Sequence, residues 1–476
     1  MTRPVTFFHA LLPILFLAFL IGYGLMLRPL ALDLPPIPLE IVFICAAAFA
    51  GAHQAWLGYA WADMQKSIVN KLASALPGLF ILFTIGMIIS GWMISGTIPM
   101  LVYYGIKWID PAYLYFLAFL LPVIFSSLTG TSWGSAGTIG VVVMGIASVL
   151  GARLDITAAA IIGGAYFGDK MSPLSDTTNM ASLAAEVDLF DHIRSMTYTT
   201  LPSALLAAIL YLALGWIYPP TVHAAGLGEV QPFLESLQGL FHFNVLLLLP
   251  PLIVLAGSFR KMPTVPVLIA SIAAAGVLTL IFQPYSFTDL IQSLYKGFDV
   301  AMAGVAVPER VAVLVNRGGL YALSEAIIIA VMVFIYIGLL DHIRAMPIVV
   351  ARLFGFARSR ASLVISTLFA TAFTNAMTSN QYATSFIVGD AFKSRFDELG
   401  ISRKVLSRSL EDTGTMLESL VPWHATAVFM VATLGVPVAE YWPWQFLSLI
   451  NFAVAPLLAV TGIGCFVGEE RLANSD

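Results

Sequence analysis

Apolar runs of about twenty residues recur along the chain, separated by short connectors rich in Pro, Gly or charge. At about 1.5 Å per residue, such a run makes a helix as long as a bilayer's hydrocarbon core is thick. Uninterrupted runs lie at 7–27, 39–60, 76–96, 196–217, 240–257, 264–283, 322–341 and 444–467. Four further segments are apolar but broken by polar stretches. Residues 112–150 contain Pro122 and Ser126-Ser127-Leu128-Thr129-Gly130-Thr131-Ser132-Trp133-Gly134-Ser135. Residues 156–180 end in Gly168-Asp169-Lys170-Met171-Ser172-Pro173-Leu174-Ser175-Asp176-Thr177-Thr178-Asn179. Residues 361–392 hold Thr374-Asn375-Ala376-Met377-Thr378-Ser379-Asn380-Gln381. Residues 410–435 begin Leu410-Glu411-Asp412-Thr413-Gly414-Thr415-Met416-Leu417-Glu418 and reach Pro422-Trp423-His424. The first run exceeds a signal peptide's apolar region and ends without a small-x-small cleavage pattern, so it reads as a retained helix.

Composition fixes the solvent. Hydrophobic residues make up 59% and charged residues 11%, with a mean hydropathy of +0.90. Soluble domains carry about 25% charged residues. A net charge of −4 leaves no basic footprint for nucleic acid. Cys45 and Cys465 stand far apart in apolar runs and read as inert thiols, not a disulfide framework or metal site. The chain has no HExxH or GxGD hydrolase motif and no GxxxxGK[ST] phosphate loop, which argues against an enzyme and against ATP use.

Basic residues orient the pieces. Lys393, Arg395, Arg403, Lys404 and Arg408 form one cytoplasmic loop, and Arg344, Arg352, Arg358 and Arg360 another, whereas 218–240 and 436–443 carry none and fall outside. The 284–321 loop, with Lys296, Arg310 and Arg317, is placed outside as a partly amphipathic segment on the interface. The pattern predicts an all-α integral membrane protein of a bacterial inner membrane, with both termini cytoplasmic. It has about ten transmembrane helices plus two re-entrant hairpins at 112–150 and 361–392. Asn70-Lys71 is echoed by Asn316-Arg317, Ile98-Pro99 by Met346-Pro347, Thr131-Ser132 by Ser379-Asn380, and Asp169 by Asp412, at offsets of 246, 248, 248 and 243. Two inverted-topology repeats with discontinuous helices follow, the arrangement of secondary transporters. The expected division is an extra N-terminal helix at 1–38, a first repeat at 39–220 and an external connector with a linking helix at 221–261. A second repeat at 262–467 and a cytoplasmic tail at 468–476 complete it.

The candidate chemistry lies in the four broken stretches, because unwound backbone survives at membrane depth only when buried in protein or facing water. Asp169 and Asp176, with the Pro173 break between them, are expected to point at one cavity. Asp412 matches Asp169 in the repeat, and Glu418 lies deeper towards Pro422. Carboxylates at such a depth are functional candidates, and a cation competes with protons for their oxygens. Asp169, Asp176 and Asp412 are the candidate Na⁺ carboxylates, with Glu418 beside them. Thr131, Ser132, Ser172, Thr177, Asn179, Asn375, Asn380 and Thr415 supply neutral oxygens. Glu411 reads equally as a surface partner of Arg408. His424 reads equally as packing or as a proton sensor, and Lys170 either as a neutralising partner for Asp169 or Asp176 or as a side chain that snorkels to the interface. Gly130 marks a hairpin tip, and Trp133 and Trp423 stand near the breaks.

These stretches resemble the motifs of the NhaC-type sodium/proton antiporter family, over about residues 40 to 465. The segment from Gly168 to Asn179 is the most specific, joined by Thr129–Gly134, Glu411–Glu418 and Val421-Pro422-Trp423. The resemblance implies a secondary transporter with Na⁺ as the transported ion and no cofactor. His424 departs from the family pattern, which has a small polar residue there. Family members also exchange malate for lactate or move amino acids. Two readings therefore stay open: Na⁺/H⁺ antiport, and sodium- or proton-coupled transport of a small organic acid or amino acid. Lipid, Na⁺, H⁺ and a second copy of the chain, as a homodimer, are the candidate partners.

Overall fold

The computed structural model describes residues 3–221, 230–355 and 357–467; among them the chain is helical, without a strand beyond an isolated Ile401–Val467 bridge. The 468–476 tail and residues 222–229 of the connector lie outside the described residues. Polarity is sorted inside out. Phe8, Leu30, Leu205 and Ile281 are more than half exposed, while Lys170, Asn375, Asp412 and Asn451 are buried. A soluble protein sorts them the other way. Here the exterior faces hydrocarbon and polar groups must find partners within the bundle.

Helices α1 (Phe7–Ala31), α2 (Leu39–Trp56) and α3 (Trp61–Ile94) open the chain. Helix α3 begins well before the apolar run at 76. Its amphipathic first half stays helical because Lys71 pairs with Asp341 at 2.9 Å and Ser67 bonds His342 at 2.9 Å. A short α4 (Thr97–Trp108) leads to the first hairpin, α5 (Leu114–Thr129) and α6 (Ser132–Leu150). The chain reverses at Gly130, φ +70, where a Cβ would lie 2.7 Å from the Leu174 backbone, so glycine is required. Arg153 N, just past α6, donates to the Tyr115 hydroxyl at the start of α5. Both arms therefore meet at one end of the molecule.

Helix α7 (Leu154–Met171) runs back beside α5, breaks at Ser172–Ser175 around Pro173, and resumes as α8 (Asp176–Ala185). The ten residues of α8 span about 15 Å. The first hairpin tip, packed against this break, thus stops that far short of the opposite end. Helix α9 (Leu189–Ile217) returns the full distance, and the Tyr218 carbonyl after it accepts from Tyr115 at the hairpin's mouth.

The second half contains α10 (Gln231–Leu240), α11 (Leu249–Phe259), α12 (Thr264–Phe282), α13 (Phe287–Lys296), α14 (Glu309–Val315), α15 (Ser324–His342) and α16 (Ala345–Phe354). The second hairpin follows as α17 (Arg360–Thr378) and α18 (Gln381–Glu398), reversing at Ser379 with φ +48. Helix α19 (Arg403–Thr413) breaks into a 3-10 turn, Thr415–Leu420, before α20 (Ala425–Leu434), and α21 (Phe446–Thr461) closes the bundle. Among the described residues, nine helices are long and apolar enough to cross a membrane. Three of these nine are hairpin arms, and three bent helix pairs, which include α11, α19–α20 and α21, bring the candidate spans to as many as twelve.

The hairpins enter from opposite ends. Helix α21 starts beside Trp444, whose ring lies 5.0 Å from the Arg153 guanidinium at the first hairpin's mouth. At its far end, the Val460 carbonyl accepts from Arg360 at the second hairpin's mouth. The 284–321 loop opens with the amphipathic helix α13, which exposes Phe287, Ile291 and Tyr295. Its later part tucks against α3, where Gly319 N donates to the Gly86 carbonyl at 2.8 Å. Gly86 and the positive-φ pair Gly318-Gly319 permit this backbone contact, since a Cβ on Gly86 would lie 2.4 Å from Gly319 O.

Candidate functional site

A cavity of about 780 Å³ lies between the two hairpin tips and the two helix breaks, and reaches solvent beside the exposed Asp176 and Lys261. The tips are built alike. Each has one residue in the left-handed region, Gly130 or Ser379, followed by a helix cap, Thr131 or Asn380. Thr131 Oγ1 accepts from Gly134 N at 3.3 Å and Asn380 Oδ1 from Ala383 N at 2.9 Å, satisfying N–H groups that lipid could not.

Asp169, 7% exposed, occupies the last turn of α7 against the first tip. Its Oδ2 accepts from Ser132 N at 3.1 Å and Ser132 Oγ at 2.6 Å; its Oδ1 accepts from Ser175 Oγ at 2.6 Å. Ser175 Oγ in turn lies 3.0 Å from Thr177 Oγ1. The carboxylate also meets the N-terminus of α6, where the helix dipole favours negative charge. Three donors and a dipole make this a site at which an anion can be held away from bulk water. The Ser132, Ser175 and Thr177 hydroxyls around it are oxygens of the kind a hard cation selects.

Asp412 is not open to the cavity. Lys170 Nζ lies 2.5 Å from its Oδ1, to which Thr199 Oγ1 also donates at 2.7 Å, and Asn451 Nδ2 donates to its carbonyl at 2.9 Å. Arg408 Nε stands 3.8 Å from Oδ2. Lys170 thus neutralises Asp412 across 242 positions, and not Asp169 or Asp176. Glu411, read in the sequence equally as a surface neighbour of Arg408, is fully buried; Oε2 accepts from Thr415 Oγ1 at 2.5 Å and Oε1 has no partner among the described residues.

On the far wall, Glu418 Oε2 accepts from Thr426 Oγ1 at 2.8 Å, and Oε1 stands 4.0 Å from His424 Nε2. Asp176 opens α8, with the Tyr382 hydroxyl 3.5 Å from its Oδ2.

The cavity gathers Thr131, Ser132, Asp169, Asp176, Thr177, Asn179, Asn380, Glu418 and His424 of the sequence-derived candidates. Four others lie outside its lining. Ser172 is spent on backbone, donating to the Ser127 carbonyl and accepting from Leu174 N. Asn375 bridges Gly414 and His424, Thr415 serves Glu411, and Asp412 serves Lys170. Asn179, though it lines the cavity, turns its amide onto the Pro173 and Ser175 carbonyls. Sequence reasoning left Ser175, Tyr382 and Thr426 out of the candidate set. Ser175 carried a signal, being inside the acidic motif; Tyr382 and Thr426 carried none, since their roles come from tertiary contacts 206 positions away and across a helix break.

The family model described as the Na⁺/H⁺ antiporter family matches residues 164–463. An uncharacterized Na⁺/H⁺ antiporter of Haemophilus influenzae is 40% identical, covering 97% of each chain. The Na⁺/H⁺ antiporter NhaC of Bacillus subtilis is 35% identical over 89% of this chain and 91% of its own. A malate-2H⁺/Na⁺-lactate antiporter of Bacillus subtilis is 31% identical over 85% and 86%. With a matching model over more than half its length and such relatives covering nearly all of it, this chain, a multi-pass membrane transporter, belongs to the Na⁺/H⁺ antiporter family.

Proposed function

We propose that this protein exchanges Na⁺ for H⁺ across a bacterial inner membrane by offering one carboxylate, Asp169, to either ion in turn. The observation that carries the reading is the Asp169 cradle, a buried carboxylate at a helix break, ringed by Ser132 and Ser175 and bordering a water-accessible cavity. A proton on Asp169 removes the charge a cation needs, and a bound cation removes the electron pairs a proton needs. Binding is therefore mutually exclusive, and moving the site between the two membrane faces yields exchange. Glu418 and Asp176 add negative potential from the facing wall and the mouth. The cavity reaches solvent beside Lys261, at the end that also carries Lys71, Lys393 and Arg403, so by the positive-inside rule it faces the cytoplasm, as do both termini. Opposed hairpins, with repeats at 39–220 and 262–467, supply the symmetry that lets one arrangement convert to its mirror.

A second reading has its own observation. The cavity is far larger than an ion and carries the aromatic faces of Trp133 and Tyr382, which would suit a small organic solute such as a carboxylic or amino acid moving with Na⁺ or H⁺. The test is a pH-gradient assay in proteoliposomes holding this protein alone, with Na⁺, malate, lactate and amino acids added separately. Proton movement driven by Na⁺ alone supports exchange. Movement only with an organic solute transfers the cargo to the second reading.

A further inference from the structure

His424, Ala425 and Thr426 open α20 at the point where both hairpin tips arrive. From the second tip, Ser379 Oγ accepts the Ala425 N–H at 2.7 Å. From the first, Trp133 Nε1 donates to Thr426 Oγ1 at 3.4 Å, and that hydroxyl donates to Glu418. The Thr426 backbone N–H can only donate, and it points at His424 Nδ1, 3.1 Å away. Nδ1 must therefore present its lone pair, so the ring proton is on Nε2, which donates to Asn375 Oδ1 at 3.3 Å. That bond fixes the amide of Asn375, whose Nδ2 donates to the Gly414 carbonyl at 2.9 Å, at the break after α19. From Thr426 through His424 and Asn375 to Gly414 the bonds run donor to acceptor without a mismatch, and those four residues are buried.

We infer that His424 is a positioning residue, held as the neutral Nε2–H tautomer, which ties the second hairpin to the helix break and leaves Glu418 without an internal counter-ion. Glu418, with Oε1 at 4.0 Å, is the titratable group within ion-pair distance of the ring among the described residues. A charged imidazolium there would occupy electrostatically the place a transported cation needs, and loading Nδ1 would break the cap on α20. The role assigned to Glu418 rests on the exchange reading; the tautomer does not.

The experiment compares full-length wild type with His424→Asn and His424→Lys by Na⁺-driven proton movement across a pH series. Asn still caps α20 but is too short for Asn375. The expected result for His424→Asn is a KM for Na⁺ raised roughly ten-fold, the worth of one buried hydrogen bond, with a pH profile that superimposes on wild type. His424→Lys, a fixed charge beside Glu418, is expected to lose more than about a hundred-fold in rate. A shifted or flattened profile in His424→Asn, or a Lys variant as active as the Asn variant, would overturn the inference. Nitrogen NMR of histidine-labelled protein tests the tautomer without transport. A neutral Nε2–H signal assigned to His424 from about pH 6 to pH 9 supports it, and a titrating signal refutes it. If wild type moves no protons with Na⁺, the exchange reading fails while the NMR result still decides the tautomer.

Discussion

Replacing Lys170 by Met tests whether Asp412 is a structural anion or a cargo ligand. The substitution keeps the apolar stem and removes the ammonium lying 2.5 Å from Asp412 Oδ1. Asp412 is then left 1% exposed with two neutral donors, Thr199 and Asn451, and the Arg408 guanidinium at 3.8 Å. Breaking a buried ion pair from one side costs about 3–5 kcal/mol, because the remaining charge is stranded. Arg408 offsets part of that, so the lower end, about 3 kcal/mol, is expected. Asp412→Asn added to Lys170→Met removes the stranded charge and keeps acceptors for Thr199 and Asn451. The double variant should recover at least half the loss, giving a coupling energy of about 1.5 kcal/mol or more. The assay is reversible unfolding in mixed micelles for the four proteins of the cycle, with Na⁺-driven proton movement measured on each. Additive losses, or a well-folded double variant without exchange, would refute the assignment and return Asp412 to the cation site.

Other perturbations report on separate parts of the account. Gly86→Ala drives a Cβ to 2.4 Å from the Gly319 carbonyl, so it should destabilise by about 1–3 kcal/mol by thermal unfolding; a neutral result would mean that the 284–321 loop does not dip against α3. Glu186, in the connector after α8, is held below the ordinary carboxylate range by hydrogen bonds from Lys393 and Arg403. A depressed pKa contributes stability above the unfolded value, lost as pH falls through the folded one. Glu186→Gln should therefore lower the unfolding midpoint near neutrality and flatten its pH dependence below about pH 5, so that the two proteins converge in acid. Asp169→Asn should fold, since Ser175 can turn its proton to Thr177 and accept the new amide, yet lose Na⁺-dependent thermal stabilisation. At ten times Kd that stabilisation is about 1.4 kcal/mol in wild type.

The membrane class and the breaks were legible because they are local: an apolar run has a length, and Pro173 or Gly130 interrupts it wherever it folds. The cradle was partly legible for the same reason, since Asp169 and Ser175 are six positions apart. What could not be read was partnership across the fold. Nothing near Lys170 or Asp412 indicates that they meet over 242 positions, and Glu411 looked half like a surface residue because the chain places it after a basic loop. Asn375 and Thr415 have the right chemistry for coordination, but their oxygens are already committed to neighbours. His424 was ambiguous because the tautomer is decided by a backbone N–H two residues on and an amide from another hairpin.

The central claim is that Na⁺ and H⁺ compete for Asp169. The direct measurement is proton release when Na⁺ is added to the purified protein in weakly buffered solution, wild type against Asp169→Asn. Shared occupancy predicts release of about one proton per Na⁺ bound, greatest at pH values where Asp169 is protonated, and none in the variant. Na⁺ binding with no proton released, or release that persists in Asp169→Asn, would contradict it.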